Sequence, residues 1–152
     1  MIDWYSVLDN KIQVYTKLED FPSDTEYFVY IITNKKTGQY YIGKKALRFN
    51  RKKKLTQKEL LEYEGKRGRK PKTRLVTTES DWKNYYSSND QLKKDVIELG
   101  EENFDRKILK LCPNKKLSTY YETYYQFEKE CLKDPLSYNS NILGTFYRKD
   151  LE

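Results

Sequence analysis

The run Tyr27-Phe28-Val29-Tyr30-Ile31-Ile32-Thr33, the turn Asn34-Lys35-Lys36-Thr37-Gly38 and the run Gln39-Tyr40-Tyr41-Ile42-Gly43 decide the fold. β-Branched and aromatic residues dominate both arms, and Gly38 is free to take the backbone conformation a turn needs, so the stretch predicts a β-hairpin. Downstream, Ser87-Ser88-Asn89-Asp90 offers an N-cap, Leu92, Val96 and Leu99 recur at helical spacing, and Gly100 fits just past the end, which predicts a helix near 89–99. Phe104 to Leu111 reads as a strand stopped by Pro113. Leu117, Tyr120, Tyr121, Tyr124, Phe127 and Cys131 then repeat every three or four residues, the apolar stripe of a helix near 116–133 halted by Pro135. Upstream of the hairpin two readings stay open. Ile2, Tyr5 and Leu8 suit a helix, whereas Ile12 and Val14 suit a strand.

The chain has 152 residues, 30 Lys and Arg against 23 Asp and Glu, fifteen Tyr and no His. That length predicts a single domain over 1–152, with enough chain to bury roughly 70% of its unfolded surface. The missing histidine removes Ser-His-Asp and Cys-His nucleophiles, zinc sites that need His, and any nuclease whose base is an imidazole. Cys112 and Cys131 have no neighbouring Cys or His to complete a metal site, so a reduced intracellular protein is expected. The segment from Met1 to Trp4 is not that of a signal peptide, and no run approaches the ~20 apolar residues of a membrane helix. A soluble, cytoplasmic protein without a membrane partner is the expectation.

The positive charge is concentrated. From Lys44 to Arg74 there are fourteen Lys or Arg against three acids, a net +11 within a chain whose total is +7. A basic insert at about 44–74 on a mildly acidic body is the electrostatic footprint of a polyanion ligand, because cations near phosphates release condensed counterions. Within it, Thr56-Gln57-Lys58-Glu59 is a capping box that predicts a short helix near 57–64. The next stretch, Lys66-Arg67-Gly68-Arg69-Lys70-Pro71-Lys72, is too rich in charge, Gly and Pro for regular structure. Its Arg-Gly-Arg centre looks like an AT-hook, a minor-groove peptide, although Lys70 intervenes before Pro71. A nonspecific phosphate contact is the other reading.

The hairpin and the elements downstream of it resemble the GIY-YIG nuclease domain over about residues 27–145. Phe28-Val29-Tyr30 keeps only the final Tyr of the first triplet, a ten-residue gap comes next, and Tyr41-Ile42-Gly43 is a complete second triplet. Trp82 to Ser88, the helix after it and Asn103-Phe104 are similar to the Seg-type free-standing phage homing endonucleases, as is Tyr-Ile-Gly-Lys-Lys. The resemblance implies an α/β (α+β) fold with a small antiparallel or mixed three-stranded sheet flanked by helices. It also implies that Tyr30 and Tyr41 lie side by side facing the scissile phosphate, and that Glu122 is the single metal-binding carboxylate. Asn139 matches an Asn that the family often has after this helix, and is expected at the DNA. The phosphate-binding Arg is Arg51 by spacing, with Arg48 and Arg74 as alternatives.

Hydrolysis of a phosphodiester needs an in-line water, compensation of charge in the transition state and help for the departing 3′ oxygen. A Tyr has an ordinary pKa near ~10, which a neighbouring cation lowers. Without histidine, Tyr30 is therefore expected as general base, primed by Lys44 or Lys45, with Tyr41 orienting water or phosphate. One Mg²⁺ or Mn²⁺, held by Glu122 and several waters, suits an ion that keeps most of its hydration shell. Lys52, Lys53, Lys54, Arg67, Arg69, Lys70 and Arg74 are the expected contacts to double-stranded DNA. The expected function is a metal-dependent DNA endonuclease of the phage homing type, in a bacterial or phage-infected cell, with no obligatory protein partner. A catalytically silent DNA- or RNA-binding protein with the same fold and insert is the rival.

Overall fold

The computed structural model describes residues 2–152. Along the chain run β1 (Trp4–Leu8), β2 (Lys11–Tyr15), β3 (Tyr27–Asn34), β4 (Tyr40–Ala46), β5 (Arg48–Lys54), α1 (Gln57–Leu61), β6 (Thr73–Glu79), α2 (Asp90–Leu99), β7 (Phe104–Cys112), α3 (Lys115–Glu128), β8 (Asn141–Ile142) and β9 (Phe146–Tyr147). They fall into two compact units, Met1–Leu47 with Asp81–Glu152, and Arg48–Ser80.

The hairpin at the centre of the sequence is β3 and β4, closed by Gly38 at φ 80°. The Asn34 side chain accepts from the Lys36 N–H at 3.0 Å, so a buried polar residue shapes the turn from inside. β7 pairs antiparallel with the other side of β3, completing the expected three strands. The sheet then widens to five in the order β2-β1-β7-β3-β4, because the open N-terminal segment is a second hairpin. Asp9 and Asn10 make its turn with φ of 51° and 62°, the left-handed pair that matches strand twist. β1 joins β7 in parallel, so the sheet is mixed.

Strand alternation divides the core into two layers. Phe28, Tyr30 and Ile32 of β3 pack with Trp4, Phe21, Trp82 and Leu92 on one face, where α2 lies. Val29 of β3 and Ile42 of β4 pack with Cys112, Cys131 and Leu132 on the other, against which Tyr121 and Tyr125 of α3 rest. Arg106 is buried in the first layer, its guanidinium between the rings of Trp4 and Tyr86 and bonded to the carbonyls of Ile2, Lys83 and Tyr85. Both cysteines are buried thiols.

α3 corrects the expected apolar stripe. Leu117, Tyr120, Tyr124 and Phe127 are exposed, while Ser118 and Gln126 are buried and Tyr121, Glu122 and Tyr125 are half-buried. The inward face is polar because it meets the sheet at β4, an edge strand whose backbone groups need partners. Gln126 Nε2 donates to the Ile42 carbonyl at 3.1 Å, and Tyr125 Oη to the Leu109 carbonyl at 3.4 Å.

The unit Arg48–Ser80 holds β5 and β6 as an antiparallel pair, with α1 in the connection. Thr56 caps α1 by accepting from the Glu59 N–H, and the helix ends at Leu61, short of the expected residue 64. The two strands were not expected, since basic side chains fill β5 on both of its sides.

Candidate active site

β4 sets the site, because it is the last strand and its outer edge is met residue by residue. The Tyr40 N–H donates to the Leu136 carbonyl, and the Tyr40 carbonyl accepts from the Tyr138 N–H. At Ile42 the Asn139 side chain takes over, accepting from the Ile42 N–H at 3.0 Å and donating to its carbonyl at 2.9 Å. At Lys44 the backbone N–H donates to the Glu122 carboxylate. The edge of the sheet therefore fixes both Asn139 and Glu122.

On the α2 face Tyr30 and Tyr41 are neighbours. Gly43 pairs with Tyr30 across the hairpin, and the two tyrosine rings are 6.3 Å apart. A β-carbon on Gly43 would come within 2.6 Å of Tyr30 Oη and 2.8 Å of the Tyr41 ring, so this glycine makes room for the pair. On the other side of β3 the register with β7 shifts between Val29 and Tyr30, a bulge that leaves Leu109 unpaired beside the site.

A cleft of about 510 Å³ opens where the edge of β4, α3 and the loop before α2 converge, lined by Tyr41, Ser88, Asp90, Glu122, Gln126 and Asn139 among others. Tyr41 faces it, whereas Tyr30 lies behind, only 1% exposed. Tyr30 and Tyr85 share a hydrogen bond, and Ser88 bonds both Tyr85 and Tyr41, so one chain of hydroxyls links the buried tyrosine to the cleft. Burial pushes the Tyr30 phenol well above its ordinary value, and Tyr85, Tyr41 and Glu122 push in the same direction. The expected lowering by Lys44 or Lys45 is thus reversed. Lys45 is turned away, bonded to Asp81 at 2.5 Å and lying 4.0 Å over the Tyr85 ring. Lys44 donates to Thr119 Oγ1 at 2.5 Å.

Burial also raises the Glu122 carboxyl, against which the Lys44 charge and backbone N–H favour the ionised form. Lys44 thus serves the carboxylate rather than the tyrosine. Asn139 is 3% exposed with its amide committed to Ile42, and the Arg148 guanidinium holds its carbonyl at 2.9 Å. It is therefore a buried side chain at the strand edge, not an exposed one. Arg48, Arg51, Lys52, Lys53, Lys54, Arg67, Arg69, Lys70 and Arg74 belong to the other unit, so the first unit assembles only Tyr30, Tyr41, Lys44, Lys45, Glu122 and Asn139. There Arg74 is bonded to Glu59 at 2.7 Å.

Three residues of the cleft region were given no role by the sequence. Ser88 and Tyr85 sit in the run that resembles the Seg-type enzymes without a role for either residue, and Gln126 sits on a helix whose apolar stripe points to a different inner face. Gln126 matters most, because its Oε1 is buried without a hydrogen-bond partner beside Glu122. A divalent cation fits this donor set. Among the described residues no group of three or more His, Cys, Asp or Glu gathers as a metal cage, so a cation in this cleft would be held by Glu122, with Asp90 also on the lining, and by its own waters. Its waters would meet an orphaned acceptor and a wall of hydroxyl and amide oxygens.

A mixed sheet flanked by helices on both faces is the fold of the GIY-YIG class. The model of one family, described as "Putative endonuclease segE, GIY-YIG domain", matches residues 11–142. The chain belongs to this SegE-type GIY-YIG endonuclease family. No curated protein and no solved structure matches it. No helix among the described residues is long and apolar enough to cross a membrane.

Proposed function

We propose that the protein is a divalent-metal-dependent endonuclease that hydrolyses phosphodiester bonds of double-stranded DNA, with the homing role that its family implies. The observation that carries the reading is the convergence of Tyr41, Glu122 and the orphaned Gln126 acceptor on one polar cleft at the sheet edge. Glu122 would hold the cation, and the Lys44 charge favours its ionised form against the effect of burial. A cation bound there supplies charge that lowers the pKa of neighbouring groups and stabilises the departing 3′ oxygen.

Tyr41 takes the role expected of Tyr30, since it is the phenol that reaches the cleft and can meet a water's proton. Tyr30 positions it through Tyr85 and Ser88. Gln126 orients water by accepting from it. The basic residues of the other unit supply affinity for phosphate.

The test is nicking of supercoiled plasmid in Mg²⁺. Glu122→Ala should cut at least about a hundredfold more slowly, the scale on which loss of transition-state electrostatics is felt, while duplex binding is retained. Undiminished cleavage in that variant overturns the mechanism, and binding without cleavage by the wild-type chain returns the assignment to the silent binder.

A further inference from the structure

The unit Arg48–Ser80 carries twelve Lys and Arg against four acids. Its β5 and β6 are seven residues each and form a two-stranded sheet. A ribbon of this kind has little core of its own, so its form calls for a reason other than packing. Strand alternation separates its two sides. One side bears Phe49 and Val76, both half-buried, and Arg74, whose bond to Glu59 ties it to α1. The opposite side bears four in-register pairs, Arg48 with Glu79 at one end and then Asn50 with Thr77, Lys52 with Leu75 and Lys54 with Thr73, and the last six residues are all exposed. Thr77 Oγ1 donates to Asn50 Oδ1 at 2.7 Å, which orients the amide without using its N–H donors.

We infer that this open side of the ribbon enters the major groove of B-form DNA and reads base edges there, an inference that rests on the nuclease reading above. Two strands ~4.8 Å apart, with their side chains, match a groove about 12 Å wide, which admits a two-stranded ribbon. The chemistry also matches. Lysine pairs with guanine O6 and N7, asparagine with adenine N6 and N7, and apolar or threonine side chains meet the thymine methyl. The minor groove, about 6 Å wide, does not admit the ribbon, and the major groove of A-form RNA is closed to side chains. Charge complementarity brings the unit to a polyanion, and the shape of the ribbon selects duplex DNA.

The test is a binding titration of the full chain against a short mixed-sequence duplex, with EDTA present to stop cleavage. Methyl green, which occupies the major groove, should weaken binding about tenfold, the scale of one base-edge contact, and netropsin in the minor groove should change it little. The double variant Asn50→Ala with Lys52→Gln should bind about tenfold more weakly and lose the methyl green effect. Lys53→Gln, on the side of α1, should keep that effect. Competition by netropsin alone, equal affinity for an RNA duplex of the same sequence, or an unchanged methyl green effect in the double variant would each overturn the inference. Any of these beside Glu122-dependent cleavage leaves the nuclease reading standing. Major-groove competition by a chain that cuts nothing removes the nuclease reading and keeps this one.

Discussion

Gly43 leaves no room for a side chain. It pairs with Tyr30, and an added β-carbon would lie 2.6 Å from that residue's hydroxyl. Gly43→Ala should therefore displace the tyrosine pair, destabilise the fold by about 1–3 kcal/mol as overpacking does, and slow plasmid nicking by more than the change in stability explains. Melting curves and cleavage rates at a temperature where both proteins are folded separate the two effects. An alanine variant with full activity would mean that the pair is not needed in its observed arrangement. At this scale Tyr30, Tyr41 and Glu122 were singled out by the family resemblance, and composition or periodicity alone would have left them as ordinary strand and helix residues. Tyr85, Ser88 and Gln126, whose place at the cleft comes from neighbours distant in the chain, were given no role by the sequence. It was misleading for Lys45, because nothing local in Tyr-Ile-Gly-Lys-Lys says that this lysine turns to Asp81.

Among the elements, the downstream helix at α2 and the strand at β7 were legible because capping residues and turn formers bound them. The inner face of α3 was not, since an apolar periodicity marks a helix but does not say that the neighbour is a polar strand edge. β5 and β6 escaped for a related reason, as strands that bury neither face carry no alternation to detect. The loop that covers the start of the β4 edge offers a pH test. Asp134 accepts from Tyr40 Oη at 2.8 Å and from the Leu136 N–H at 3.0 Å, and these bonds, the Leu136 N–H first, hold its carboxyl below the ordinary value of 3.8. A lowered folded value means stability that is present above pH 3.8 and lost as the pH falls through the folded value. Asp134→Asn should melt earlier than wild type at neutral pH, and the gap should close as both are taken below pH 3.8. A gap that is constant across that range would show that the carboxylate charge is irrelevant there.

For the whole molecule, the uneven charge that the sequence displayed corresponds to a division of the structure. The body is assembled from both ends of the chain, because β7 lies between β1 and β3 in the sheet. Trypsin should cut first in the exposed basic stretch from Lys66 to Lys70, yet the two fragments should stay together and elute at the position of the intact protein on gel filtration. Separation of the fragments under native conditions would contradict the strand order. That order also limits how two copies can cooperate. The outer edge of β4 is filled by Asn139, Glu122 and the segment around Tyr138, so the sheet can be continued into another copy only through β2. Two chains joined there would place their clefts about nine strand spacings apart, ~43 Å, which is more than one turn of the double helix. A dimer of that form would address two positions at least a turn apart along the duplex, and would not bring two clefts to opposite strands of one cleavage site.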